Sequence, residues 1–141
     1  MYQLHYLAER HGALLPVHGV ERARVFEQLF FHASALSPAF GQVGYFRKLA
    51  PEALLHAIAR FHGEALRTLA VLDRLLAQHP FFAGSSYSIA DIAHFGWTWR
   101  RQFAGVDLEA SPHVVRWFAK MSQRPAVQRA IARVESLQPP A

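Results

Sequence analysis

Nine histidines and no cysteine raise the first chemical question, because imidazole is the side chain that most readily moves a proton or holds a metal near neutral pH. Two histidines hold one metal from a helix when they stand four residues apart, on one face of adjacent turns. No such pair occurs here. His5 and His11 are six apart, as are His56 and His62, and that step carries the second ring to a different face. The histidines therefore read as surface or half-buried groups, and no metal site is assigned. Without cysteine there is no thiol nucleophile, no disulfide and no thiolate metal ligand. A Ser/His/Asp set can be put together from the composition, but no Gly-x-Ser-x-Gly elbow presents the serine. No glycine-rich loop is spaced to cradle a phosphate either. No catalytic residue is assigned.

Two other constellations carry more information. In "SSYSIADIAHFGW" (85–97) a serine precedes an apolar run and an aspartate follows it by three. Ser88 can offer its hydroxyl oxygen to a free N–H of the first helical turn, and the Asp91 carboxylate can reach back to the Ser88 N–H. The helix dipole favours the charge at that position. Ser88 and Asp91 are therefore read as a structural cap. In "SPAFGQVGYF" (37–46) the residues Phe40, Gln42, Tyr45 and Phe46 surround two glycines, near in type to Trp97 and Trp99. Aromatic rings on a loosened helix end pack a core or line a pocket for an apolar ligand.

The elements that must position these residues read as helices separated by Pro/Gly punctuation, without any alternating strand. Residues 2–10 form a short helix that Gly12 and Pro16 end. A long helical pattern runs over 20–47, with Pro38 expected to bend or break it. Pro51 opens the next helix, which runs to about Gln78 with a broad apolar stripe and forms an antiparallel pair with its predecessor. The capped helix runs from Ser88 to about Phe103 and lies in the centre. Ser111 caps a further helix with Pro112 at its first position. Pro125 starts the last one, to about 137, and "QPPA" is a frayed tail.

Composition bounds what this bundle can be. A chain of 141 residues is the size of one domain, and 52% hydrophobic content is enough for a core and excludes disorder. The net charge of +5 is spread along the chain, with no run of basic residues, so no nucleic-acid partner is expected. No apolar stretch is long enough to span a membrane, and the N-terminus lacks the basic-then-apolar order of a signal peptide. The absence of cysteine fits a cytoplasmic setting.

"YSIADIAHFGW" followed by "GVDLEASPHVVRWFAKMSQRPAVQRAI" resembles the C-terminal all-helical domain of glutathione transferases. Ser88 and Asp91 match that domain's capping box and buried aspartate. Pro112, Val114 and Trp117 match its P-x-V-x-x-W helix, and Arg124, Pro125, Ala126 and Val127 match the start of the next. "SPAFGQVGYF" is similar to a stretch of the nu-class, disulfide-reductase-like branch. The resemblance implies an all-α bundle of about five to six helices over 20–141. Residues 13–19 would be a linker, and 1–12 the remnant of the last helix of a thioredoxin-like domain. It implies glutathione as the co-substrate, an apolar small-molecule ligand, and Phe40, Gln42, Tyr45 and Phe46 as pocket lining. It further implies a homodimer or a thioredoxin-like partner. In the family the thioredoxin-like domain supplies the group that acts on the glutathione sulfur, and no residue here matches it. The expectation is a truncated family member, not catalytic alone. The alternative is a working glutathione transferase or glutathione-dependent disulfide reductase, with its N-terminal half supplied by another chain or an upstream frame.

Overall fold

The first helix, α1 (Tyr2–His11), ends at a glycine for a stereochemical reason. Gly12 takes φ 60° and ψ 31°, and its N–H faces the carbonyls of Ala8 and Glu9, a left-handed cap that costs glycine little. The computed structural model describes residues 1–137, so the tail "QPPA" lies outside the described residues. Among the described residues no strand forms, and only an isolated bridge joins Phe81 to Gly84.

Helices α2 (Gly19–Phe31) and α3 (Ser37–Lys48) are continuous through one π turn, His32–Leu36. The break expected at Pro38 does not occur. Proline lacks an N–H and its ring crowds the carbonyl four residues back. Here the Ser37 N–H donates to the His32 carbonyl, five residues back. The wider turn accommodates one extra residue just before the proline, and the helix continues.

Helix α4 (Leu55–Gln78) makes the most extensive helix pairing of the fold with α3, burying Ala65, Thr68, Leu69, Leu72 and Leu76. The short connection, 49–54, makes the two antiparallel. The start expected at Pro51 moves to Leu55, since Leu54 holds φ −94° and ψ 80° outside the helical region. No capping side chain stands ahead of Pro51 to hold an earlier turn.

The helix expected over 88–103 is two helices, α5 (Ile89–Trp99) and the single turn α6 (Arg101–Ala104), parted at Arg100. Gly105 then turns the chain at φ 63°, and a Cβ there would run into the Arg47 guanidinium. Helix α5 is the central one, with Ile89, Ala90, Asp91, Ala93, His94, Phe95 and Thr98 all buried. Helices α7 (Pro112–Ser122) and α8 (Pro125–Glu135) complete the bundle.

The cap of α7 differs from expectation. Ser111 makes no side-chain cap hydrogen bond. Pro112 has no N–H to satisfy, so the first free donors are those of His113 and Val114. Both donate to Asp73 Oδ1 of α4, at 2.8 and 3.0 Å. Arg116 returns the contact by donating to the Leu76 carbonyl at 2.7 Å. A carboxylate from a neighbouring helix thus replaces a local hydroxyl, satisfies two end groups at once and fixes α7 on α4. Asp73→Ala is expected to cost about 1–2 kcal/mol, and Ser111→Ala less than about 0.5 kcal/mol, measured by urea denaturation. Equal losses would return the cap to Ser111.

Candidate functional site

Two places gather polar side chains, one buried and one open to solvent along one side, and they behave differently. The first is built on Asp91, which has no solvent exposure. Its Oδ1 accepts from Trp117 Nε1 at 2.9 Å and from the Phe82 N–H at 3.2 Å. Its Oδ2 accepts from the Ser88 N–H at 3.0 Å and from Ser88 Oγ at 3.3 Å. Ser88 Oγ in turn accepts from the Ala90 N–H at 3.3 Å. Ser88 and Asp91 thus form a reciprocal capping box. The same carboxylate also holds α7 through Trp117 and the connecting loop through Phe82. Burial pushes the Asp91 carboxyl above its usual range, against the opposing pull of these donors. With both oxygens engaged and no open side, the carboxylate holds structure and has no face for a substrate.

The second place is a cavity of about 540 Å³ between the π turn, α5 and α8. Its size is in the range of small-molecule sites. Helix α5 lays Ala93, Gly96, Trp97 and Arg100 along it, the i, i+3, i+4, i+7 spacing of one helix face, with Phe95 and Trp99 at the sides. Helix α8 flanks it with Ala130, Ile131 and Val134, the first and last of them exposed, and the π turn contributes His32. The Trp97 indole is held in place by donating to Ser37 Oγ at 2.9 Å, and it packs against Phe40 at a ring separation of 6.0 Å. The Arg100 guanidinium lies over the rings of Trp97 and Phe103, at 5.9 and 5.4 Å.

His32 is 8% exposed and meets His94 edge to face at 5.3 Å. His94 is wholly buried against Phe82, 4.4 Å away between ring centres. Both nitrogens of His94, and Nδ1 of His32, lack a hydrogen-bond partner. Burial lowers His32 to about 4 and takes His94 well below its ordinary value. Both rings are therefore neutral at neutral pH. Among the described residues no three ligating side chains gather in a way that could hold a metal ion.

Of the four residues expected by resemblance as pocket lining, Tyr45 and Phe46 meet edge to face at 5.2 Å, and none of the four lines the cavity between the π turn, α5 and α8. Phe40 is fully buried in the core and backs the cavity wall through Trp97. Gln42 and Tyr45 are exposed on α3. Phe46 is half-buried, stacked on Phe61 of α4 at 5.8 Å. His32, Arg100 and the α8 residues were not singled out in the sequence. The helical spacing of 93, 96, 97 and 100 was a usable signal for the α5 face. Nothing local to His32 signalled its place, which depends on the π turn.

These observations generate two predictions. Asp91→Ala leaves four buried donors without their acceptor, the N–H groups of Phe82 and Ser88, Ser88 Oγ and Trp117 Nε1, and is expected to cost about 3–5 kcal/mol. Trp117→Phe removes only one and should cost about 1–3 kcal/mol. An Asp91→Ala loss under about 1 kcal/mol in urea denaturation would contradict this. The second concerns pH. The folded values of His32 and His94 lie below the ordinary 6.5. The unfolded chain therefore binds more protons below that pH, and stability falls as pH drops from about 6.5 toward 4 while staying level above. The double variant His32→Phe/His94→Phe should flatten the loss between pH 6.5 and 5; an unchanged slope would contradict it.

Comparison with known proteins follows the fold. Residues 37–125 match the family model of the glutathione S-transferase C-terminal domain. The chain is 37% identical over 132 residues to the disulfide-bond oxidoreductase YfcG of Escherichia coli K12, covering 92% of this chain and 60% of that protein. It is 40% identical over 131 residues to the disulfide-bond oxidoreductase YghU of the same organism, covering 88% of this chain and 46% of that one. Among solved structures, it is similar to the glutathione transferase YghU of Streptococcus pneumoniae in complex with glutathione. The TM-score is 0.80 and the identity 42%, over 89% of this chain and 51% of that one. A glutathione transferase family member of Pseudomonas fluorescens with two glutathione bound gives a TM-score of 0.82 and 37% identity, over 89% and 59%. The chain thus spans between 46% and 60% of the length of the two curated relatives.

Proposed function

We propose a function from one premise: the chain belongs to the glutathione S-transferase family. These residues supply the apolar-substrate half of a two-part cleft, and they do not by themselves ionise a sulfur nucleophile. The observation that carries this reading is the cavity between the π turn, α5 and α8, walled by Phe95, Trp97, Trp99, Ile131 and Val134. A thiolate is held near neutral pH by donated hydrogen bonds or nearby positive charge. Glutathione presents two carboxylates, an ammonium and a thiol. Apart from indole N–H groups, the cavity offers one neutral imidazole and one guanidinium, a donor set that does not fit the tripeptide. No step at its sulfur is assigned to residues of this chain.

Glutathione, present in the structures of the relatives from S. pneumoniae and P. fluorescens, would be held by a thioredoxin-like half outside these residues. Apolar side chains left exposed on α1 and α2, among them Tyr2, Leu7, Val20 and Phe30 at 70% exposure, are suited to receive it. In the completed protein, the thiolate would attack an electrophile or one sulfur of a mixed disulfide, releasing the other sulfur as thiolate. The names of the two Escherichia coli relatives favour the disulfide reaction. A second copy of the chain is the other partner we expect, since Leu49 and Leu55, at the turn between α3 and α4, are also exposed. The cytoplasm, where the tripeptide is kept reduced, is the setting.

The test uses the purified chain with glutathione and either a chloronitrobenzene or a dialkyl disulfide. The expected rate is that of buffer for both, with saturable quenching of tryptophan fluorescence by naphthalene. Turnover well above buffer would overturn the reading.

A further inference from the structure

We propose that the cavity selects apolar, ring-bearing carboxylic acids that carry a second polar atom at the far end, with Arg100 taking the carboxylate and His32 the second atom. This rests on the reading of the cavity as a small-molecule site and names the ligand class it takes.

Three observations converge. Arg100 is exposed at the rim, and its guanidinium is spread over the faces of Trp97 and Phe103. The guanidinium makes no ion pair or hydrogen bond among the described residues, whereas those of Arg22 and Arg67 pair with glutamates. A guanidinium beside aromatic rings and outside any ion pair keeps donors free for a carboxylate. At the other end His32 is more than nine-tenths buried and lines the cavity, with Nδ1 unpaired. A buried polar group without a partner is costly and rare. His94 behind it makes no hydrogen bond to it and offers no relief, since its own two nitrogens are unpaired. Nδ1 is sealed from the cavity, so a ligand meets the other ring nitrogen, Nε2, which makes no hydrogen bond among the described residues either. Because the ring is neutral, it recognises a hydroxyl, amide or ether and does not attract a second negative charge.

The span between the two ends sets the ligand's length. Ala93 immediately precedes His94, whose ring packs on His32, and Arg100 is seven residues further along α5. At the helical rise per residue this is ~10 Å. Two fused aromatic rings bearing a carboxylate and an opposed hydroxyl bridge that distance. The wall between is apolar, formed by Trp97, Trp99 and Ile131.

The experiment titrates tryptophan fluorescence with four probes: naphthalene, methyl 2-naphthoate, 2-naphthoic acid and 6-hydroxy-2-naphthoic acid. The acid is expected to bind roughly tenfold more tightly than its ester, and the hydroxy acid several-fold more tightly again. Arg100→Met, which keeps an apolar stem at an exposed position, should abolish the preference for acid over ester. His32→Phe should abolish only the gain from the hydroxyl, and His32→Gln should restore part of it. The glutamine variant keeps the test sound if phenylalanine at 32 disturbs folding, which circular dichroism would reveal. Acid and ester binding alike, or a hydroxyl gain that survives at His32→Phe, overturns this assignment and leaves the cavity reading intact. Failure of naphthalene itself to bind overturns both.

Discussion

One buried carboxylate sets the position of everything else. Asp91 stands in the first turn of the central helix and accepts from that helix's own cap, from the Phe82 N–H and from Trp117 on α7. A residue held this way from several directions cannot rotate about the helix axis, and neither can α5. The face carrying Ala93, Gly96, Trp97 and Arg100 is thereby turned toward α8 and the π turn. The aromatic packing is consistent with the same constraint, since Trp117 meets Phe82 edge to face at 4.7 Å. The linker joins too: the Leu14 carbonyl accepts from the Ile89 N–H at 3.0 Å. That contact is made with Leu14 at φ 65°, an uncommon conformation for a residue with a side chain. The start of α5 is where the bundle concentrates its polar hydrogen bonding, and the cavity lies further along the same helix.

The π turn is the second constraint. Pro38 could not enter an ordinary helix without losing a hydrogen bond and crowding a carbonyl. Widening the preceding turn keeps α2 and α3 continuous and shifts the register of the residues before it. His32 opens that turn and faces the cavity. Neutralised by its burial, it gives the apolar cavity a polar floor that carries no charge.

Much of the architecture was legible in the sequence because local rules and burial agree. The spacing of apolar residues located the helices, Gly12 marked the end of the first, and "SIAD" stated its own cap. What was not legible is tertiary. The Asp73 cap of α7 joins residues forty positions apart, so Ser111 was the only candidate visible locally. Trp117 could be seen to match a family motif, but not to end on Asp91. The four residues expected as pocket lining are spread around one helix. Phe40, Gln42, Tyr45 and Phe46 follow one another along α3, and a helix distributes such neighbours around its circumference, so one enters the core while others face solvent. His32 looked like an ordinary histidine, since a π turn cannot be read from periodicity.

Under the proposed function the chain presents an apolar cavity, and sulfur activation falls to another domain. The most direct measurement is the thiol pKa of glutathione, followed by ultraviolet absorbance of the thiolate, with and without excess purified chain. The account predicts the same titration curve in both. A curve displaced to lower pH by the protein would show that residues here do stabilise the thiolate, and would contradict it.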